Sequence, residues 1–185
     1  SASGAFTQTA GNLSADGNLA AGQVSIQGGQ LNPGGTNGIG GLNITGNYTQ
    51  DTNGVVNIEL GGTGTGLFDR IDVLGNATFA ANTPVNVSLV NDFVPQEGDS
   101  FTIFNFGNGT NPNNIQFTFP TLPGDLQFTT QINNTNITLV VGSASVGPET
   151  PSTVVTTLDD IVNDSDGLIS LREAIAYANT GDTVT

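Results

Sequence analysis

The chain has 185 residues with 16 acidic and 2 basic side chains, a net charge of -14, and a surface of that sign repels nucleic acid and anionic membrane because little on it neutralises phosphate. Cys, His, Met and Trp are absent, which excludes a Ser-His-Asp triad, a thiolate nucleophile and any nitrogen or sulfur ligand for zinc or copper. Carboxylates remain as acid-base groups, and an oxygen-ligated hard cation is the metal chemistry that fits.

From the N-terminus, short apolar alternations follow one another: Leu13, Leu19, Val24 with Ile26, Leu31, Leu42 with Ile44, Val56 with Ile58 and Leu60, and Ile71 with Val73. Their period of two predicts strands. Asp16-Gly17, Gly28-Gly29, Pro33-Gly34-Gly35, Asn37-Gly38, Asn53-Gly54 and Gly61-Gly62 supply the turns between them. Phe6-Thr-Gln is answered by Tyr48-Thr-Gln, each followed by a turn and an apolar strand. Short strands, frequent turns and this faint repeat predict a parallel β-solenoid, or β-helix, over residues 1–83.

From Pro84 the apolar runs lengthen and gain Phe, as in Phe101-Thr-Ile-Phe-Asn-Phe106 and Ile115-Gln-Phe-Thr-Phe119. Residues 84–141 therefore read as a wider, sheet-like or sandwich-like cap continuous with the solenoid. A β-sandwich over residues 40–141 is the alternative. Pro148 and Pro151 mark residues 142–152 as a linker.

Residues 153–185 hold the one strong helix signal. Ser170-Leu-Arg-Glu173 is a capping box, and Leu171, Ala174, Ile175 and Ala178 form a narrow apolar stripe that needs a surface to dock on. Thr183-Val-Thr185 follows as the first strand of a further module. With Gly167 at the sixth position of a calcium loop, Asp164, Asp166 and Glu173 take the third, fifth and twelfth. Val162 at the first position carries no side-chain oxygen, so Asp160 or Asp159 must swing in or water must fill the gap. The expected site is a weak structural calcium ion held by Asp160, Asp164, Asp166 and Glu173. In the competing reading, Asp164 and Asp166 form a solvated turn and Glu173 serves the cap alone.

The other acids have structural readings. Asp69 and Asp72 flank Arg70, and Asp92, Glu97 and Asp99 sit in one loop, where ion pairing and turn chemistry account for them. No carboxylate pair stands out for glycoside chemistry. The expectation is a protein without catalytic residues. Ser1-Ala-Ser-Gly-Ala-Phe6 does not read as a signal peptide and no apolar run reaches a membrane span, so a secreted chain would carry its export signal outside these residues.

Leu42-Asn-Ile-Thr-Gly-Asn-Tyr-Thr-Gln, the Glu59-Leu-Gly-Gly rung, Phe68-Asp-Arg-Ile-Asp-Val73 and Gly98-Asp-Ser-Phe-Thr-Ile-Phe104 together resemble large bacterial surface exoproteins of the autotransporter-passenger and haemagglutinin-like kind. Ser170-Leu-Arg-Glu-Ala174 resembles a second bacterial segment that opens a further parallel β-helix. A Cys often precedes the Ser in that segment, and here the position is Ile169. The resemblances imply an extracellular or cell-surface location, and because the open end of a coiled sheet is an unpaired edge that recruits strands, the expectation is a structural module that self-associates head to tail into a fibre or surface layer. Two other readings stay open: an adhesin that binds glycans, with Tyr48 and Tyr177 as the aromatic candidates, or a non-catalytic part of a larger surface enzyme. Homo-oligomeric contacts and glycans are the expected partners, with no nucleic acid and no membrane insertion.

Overall fold

The computed structural model describes residues 4–35, 38–144, 152–158, 162 and 168–185. It divides into two compact units, Ser1–Ser143 and Ala144–Thr185. The first unit is a parallel β-solenoid. One circuit runs β1 (Ala5–Gln8), β2 (Asn12–Ala15) and β3 (Gly17–Leu19), and the next runs β4 (Gln23–Ile26), β5 (Gly29–Pro33) and β6 (Gly41–Ile44). Then follow β7 (Asn47–Gln50), β8 (Gly54–Leu60), β9 (Arg70–Phe79), β10 (Thr83–Leu89), β11 (Ser100–Thr110) and β12 (Ile115–Thr118).

These strands stack into three faces. On the first face β1, β4, β7 and the second halves of β9 and β11 pair in parallel. On the second, β2, β5, β8, β10 and β12 do so. On the third, β3, β6 and the first halves of β9 and β11 pair. Long-range parallel pairing through β7–β12 replaces the sandwich alternative for residues 40–141. An antiparallel hairpin, β13 (Leu126–Ile132) and β14 (Asn136–Ser143), closes the third face by pairing β14 with β11. Parallel coiling thus continues to Thr118, and β14 runs to Ser143, into the segment read as linker.

Successive circuits lengthen. Ala5 lies 18 residues from its partner Gln23, Gln23 lies 24 from Asn47, Tyr48 lies 29 from Ala77, and Ala77 lies 32 from Gly109. The interior fills in step. Val24, Ile26, Leu31, Leu42 and Ile44 fill the narrow part, and Tyr48, Phe79, Phe104 and Phe106 fill the wider part. Tyr48, Phe79 and Phe104 contact one another with ring centroids 5.7–6.2 Å apart at tilted or edge-on angles, as ring quadrupoles favour.

The corner between the third and first faces is a column of glycines. A Cβ on Gly46 would overlap the Gly22 carbonyl oxygen, one on Gly75 would sit 2.6 Å from the Gly46 oxygen, and one on Gly107 3.1 Å from the Gly75 oxygen. At Gly46 and Gly75 successive backbones approach too closely for any side chain, and at Gly107 a side chain would fit only tightly. The contact carries hydrogen bonds, with Asn47 N–H donating to Gly22 O and Gly75 N–H to Gly46 O, both at 3.0 Å.

The corner between the first and second faces explains the aromatic-Thr-Gln repeat. Gln8 and Gln50 are 6% and 1% exposed. The Gln8 amide donates to Gly11 O in its own turn and to Gln30 O in the next circuit, each at 2.9 Å. The Gln50 amide donates in the same way to Gly54 O and Pro84 O, at 2.8 and 3.0 Å. Each glutamine therefore links carbonyls of two circuits through a buried amide. Tyr48 Oη donates to Gln50 Oε1 at 3.0 Å, and burial pushes the Tyr48 hydroxyl pKa upward, which keeps it a neutral donor. Phe6 holds the matching place before Gln8 and has no hydroxyl, and Gln8 Oε1 is buried without a partner. Phe6→Tyr is therefore expected to stabilise the fold by about 1 kcal/mol, read as a higher urea midpoint. An unchanged or lower midpoint would show that the two corners are not equivalent.

Candidate functional site

The second unit carries the predicted helix, α1 (Leu171–Tyr177). Ser170 Oγ accepts from the Glu173 N–H at 3.3 Å, and Glu173 Oε2 accepts from the Ser170 N–H at 2.8 Å, which is the reciprocal cap its sequence specifies. Glu173 is 4% exposed and Ala174 is fully buried, whereas Leu171 and Ile175 are 57% and 59% exposed. The buried face is thus rotated away from the Leu171-Ala174-Ile175 stripe expected from spacing. The cap holds Glu173 against Ser170 on that buried side. Thr185 N–H donates to Thr153 O and Val155 N–H to Thr185 O, so the backbone at Thr185 is bonded to residues 153–155.

Of the expected calcium ligands, Asp160, Asp164 and Asp166 lie outside the described residues. Glu173 lies within them, with one carboxylate oxygen held by the Ser170 N–H. Among the described residues no three acidic side chains stand close enough to hold a metal ion.

In the solenoid, four of the five acids flagged in the sequence have bonded partners, and the fifth, Asp92, sits in a turn at φ 54°. Asp99 Oδ2 accepts from the Gln96 N–H at 2.8 Å, and Glu97 Oε1 accepts from Ser143 Oγ at 3.0 Å. Asp72 Oδ2 takes the Arg70 Nε–H at 2.7 Å, and its Oδ1 takes the Asn105 amide at 2.7 Å. Asp69 is 1% exposed. Its two oxygens accept from the Gly40 N–H at 2.8 Å and the Glu59 N–H at 2.9 Å, tying a turn of the second circuit to a strand of the third. Burial pushes its carboxyl up to about 7 against the pull of those two N–H groups, and the nearby charges of Glu59 and Asp16 add to the rise. The buried role of Asp69 was not visible in the sequence, where it looks like another acid after a glycine-rich loop.

Outward side chains form straight rows because parallel pairing keeps strict register. On the third face, Asn18, Asn43, Asp72, Asn105 and Asn136 are successive partners. Four of them, Asn18, Asn43, Asp72 and Asn105, line a groove of about 530 Å³ whose other walls include Thr45 and the 80% exposed Leu74. Sequence reading did not single out this row. Its signal is the position of Asn43 and Asp72, each three residues before a corner glycine, Gly46 or Gly75. Tyr48, proposed from sequence as an aromatic sugar platform, is fully buried in the core and cannot serve as one.

β1, β2 and β3 each pair on one side, with β4, β5 and β6 respectively. Behind these edges Phe6, Leu13, Ala15 and Leu19 are partly buried against the core. No helix among the described residues is long and apolar enough to cross a membrane. No protein-family model matches the chain, and no characterised protein matches it by sequence.

The Asp69 carboxyl sets a pH dependence. Its native pKa of about 7 exceeds the unfolded carboxylate value of about 3.9, so the native state holds the proton more tightly between these values. The stabilisation is complete below about pH 4, falls by up to about 1.4 kcal/mol per pH unit as pH rises toward 7, and is lost above that. Urea unfolding at stepped pH should show this decline, and Asp69→Asn should flatten it. An equal slope in both proteins would assign the dependence to other acids.

Proposed function

We propose that this chain is a non-catalytic structural module of a secreted or cell-surface bacterial protein, which self-associates head to tail into an extracellular fibre or surface layer. The observation that carries this reading is the strand edge on the narrow side of the solenoid. Three strands there, β1, β2 and β3, have one neighbour each among the described residues, over a partly buried apolar floor. An unpaired strand edge is a template for another strand.

The unequal circuits shape how association proceeds. A first circuit of 18 residues does not match a last one of 32, so whole-coil stacking of the wide end on the narrow end leaves strands without partners. Addition of an extended segment from a neighbouring copy to the narrow edge avoids that mismatch. The net charge of -14 opposes it, so screening by salt favours assembly. Strand bonds between all circuits and acids spent on turn and ladder bonds support a durable scaffold better than a reaction centre. The resemblance to bacterial surface exoproteins supports the same setting.

Sedimentation velocity over a concentration series is expected to show growing species, more at 0.5 M salt than at low salt by the screening argument. Leu13→Lys, which places a charge on the narrow apolar floor, should remain monomeric with its β-sheet circular dichroism intact. A wild-type chain that stays monomeric at high concentration and high salt would contradict the proposal.

A further inference from the structure

We propose that the groove on the third face binds a neutral oligosaccharide, with Asn18 and Asn43 as its principal hydrogen-bonding side chains. This goes beyond the scaffold role and does not depend on it.

The two amides are exposed and are partners in adjacent strands, β3 and β6. Neither amide is bonded to another side chain or backbone group among the described residues, whereas Asp72 and Asn105 in the same row are bonded to each other at 2.7 Å. An amide carries two donor hydrogens and a carbonyl acceptor. A row of unspent amides therefore suits a ligand whose groups both give and accept hydrogen bonds at short intervals, as vicinal sugar hydroxyls do. Asp72 adds acceptor capacity for a hydroxyl proton, and the Arg70 guanidinium at 2.7 Å balances its charge locally. Leu74 and Thr45 on the wall offer apolar surface to the C–H face of a sugar ring. The groove volume of about 530 Å³ is in the range of small-ligand clefts.

Ligand classes separate on charge and on backbone bonding. Anionic ligands meet a chain of net charge -14. An extended peptide binds a sheet by its edge, through free backbone groups. Here the strands beneath Asn43 and Asp72, β6 and β9, are paired on both sides, so the outward side chains are the recognising groups. From Asn18 to Asn105 the row crosses four strands, roughly 14 Å at ordinary strand spacing. That length suits a short oligosaccharide lying across the strands more than a single sugar.

Calorimetric titration with cellohexaose, chitohexaose and mannohexaose tests the proposal. Saturable heat is expected with at least one of them. Asn43→Leu and Asn18→Leu should each weaken that binding by about ten-fold or more, the loss of a ligand hydrogen bond, with the thermal midpoint unchanged. Asn108→Leu, an exposed position on the first face, should leave it intact. No heat with any of the three at millimolar sugar would overturn the proposal, as would binding that survives the Asn18→Leu, Asn43→Leu double variant. Sedimentation of the same variants separates this groove from self-association. If Asn43→Leu abolishes assembly and no sugar binds, the groove is a contact between copies and the proposal falls.

Discussion

The fold depends on how closely one backbone passes another at the corner between the third and first faces. Gly22, Gly46, Gly75 and Gly107 follow each other up that corner, and each of the last three sits against the carbonyl oxygen of the one before. Close passage lets the strand hydrogen bonds continue around the bend, so β9 and β11 run through the corner as single strands, at Gly75 and Gly107. A side chain there would force the circuits apart and break the Asn47–Gly22 and Gly75–Gly46 bonds. The cost of the arrangement is backbone entropy, since glycine loses more freedom on folding than any other residue.

Fixed corners fix register, and register decides what both sides of the wall can do. Inward, it lines up Leu, Val and Ile where the circuit is short and aromatic rings where it is long. Outward, it lines up polar side chains one strand apart. On the second face Asn57 donates to Asn32 at 2.7 Å and accepts from Asn86 at 3.2 Å, joining circuits from outside. Polar groups that must go inside are tied to more than one circuit, as Gln8, Gln50 and Asp69 are. A wall held in this way has no disulfides, and among the described residues it leaves the amides of Asn18 and Asn43 without a bonded partner.

Much of this was legible in the sequence where the physical signal is local. Alternation in Val56-Asn-Ile-Glu-Leu60 and Val85-Asn-Val-Ser-Leu89 marks strands buried on one side, and Ser170-Leu-Arg-Glu173 marks a cap whose bonds form as expected. Parallel stacking was legible too, from the density of turns and the paired aromatic-Thr-Gln segments. What was not legible is set by distance in the chain. Circuits of 18, 24, 29 and 32 residues share no period, so the corner glycines do not show as a repeat. The burial of Asp69 depends on Gly40, 29 residues away. Tyr48 looked available to a ligand because its aromatic neighbours, Phe79 and Phe104, are brought to it by later circuits. The helical stripe failed for a different reason, since apolar spacing alone does not register that a charged residue, the cap's Glu173, lies on the buried face.

The stability of Gly46→Ala against that of Gly142→Ala tests the dependence on corner packing most directly. A Cβ at Gly46 meets Gly22 backbone, whereas one at Gly142, in β14, meets nothing within 4 Å. The account predicts that Gly46→Ala loses about 1–3 kcal/mol by overpacking and that Gly142→Ala stays within about 0.5 kcal/mol of the parent, as an uncrowded surface change does. Equal stability of the two variants would contradict it.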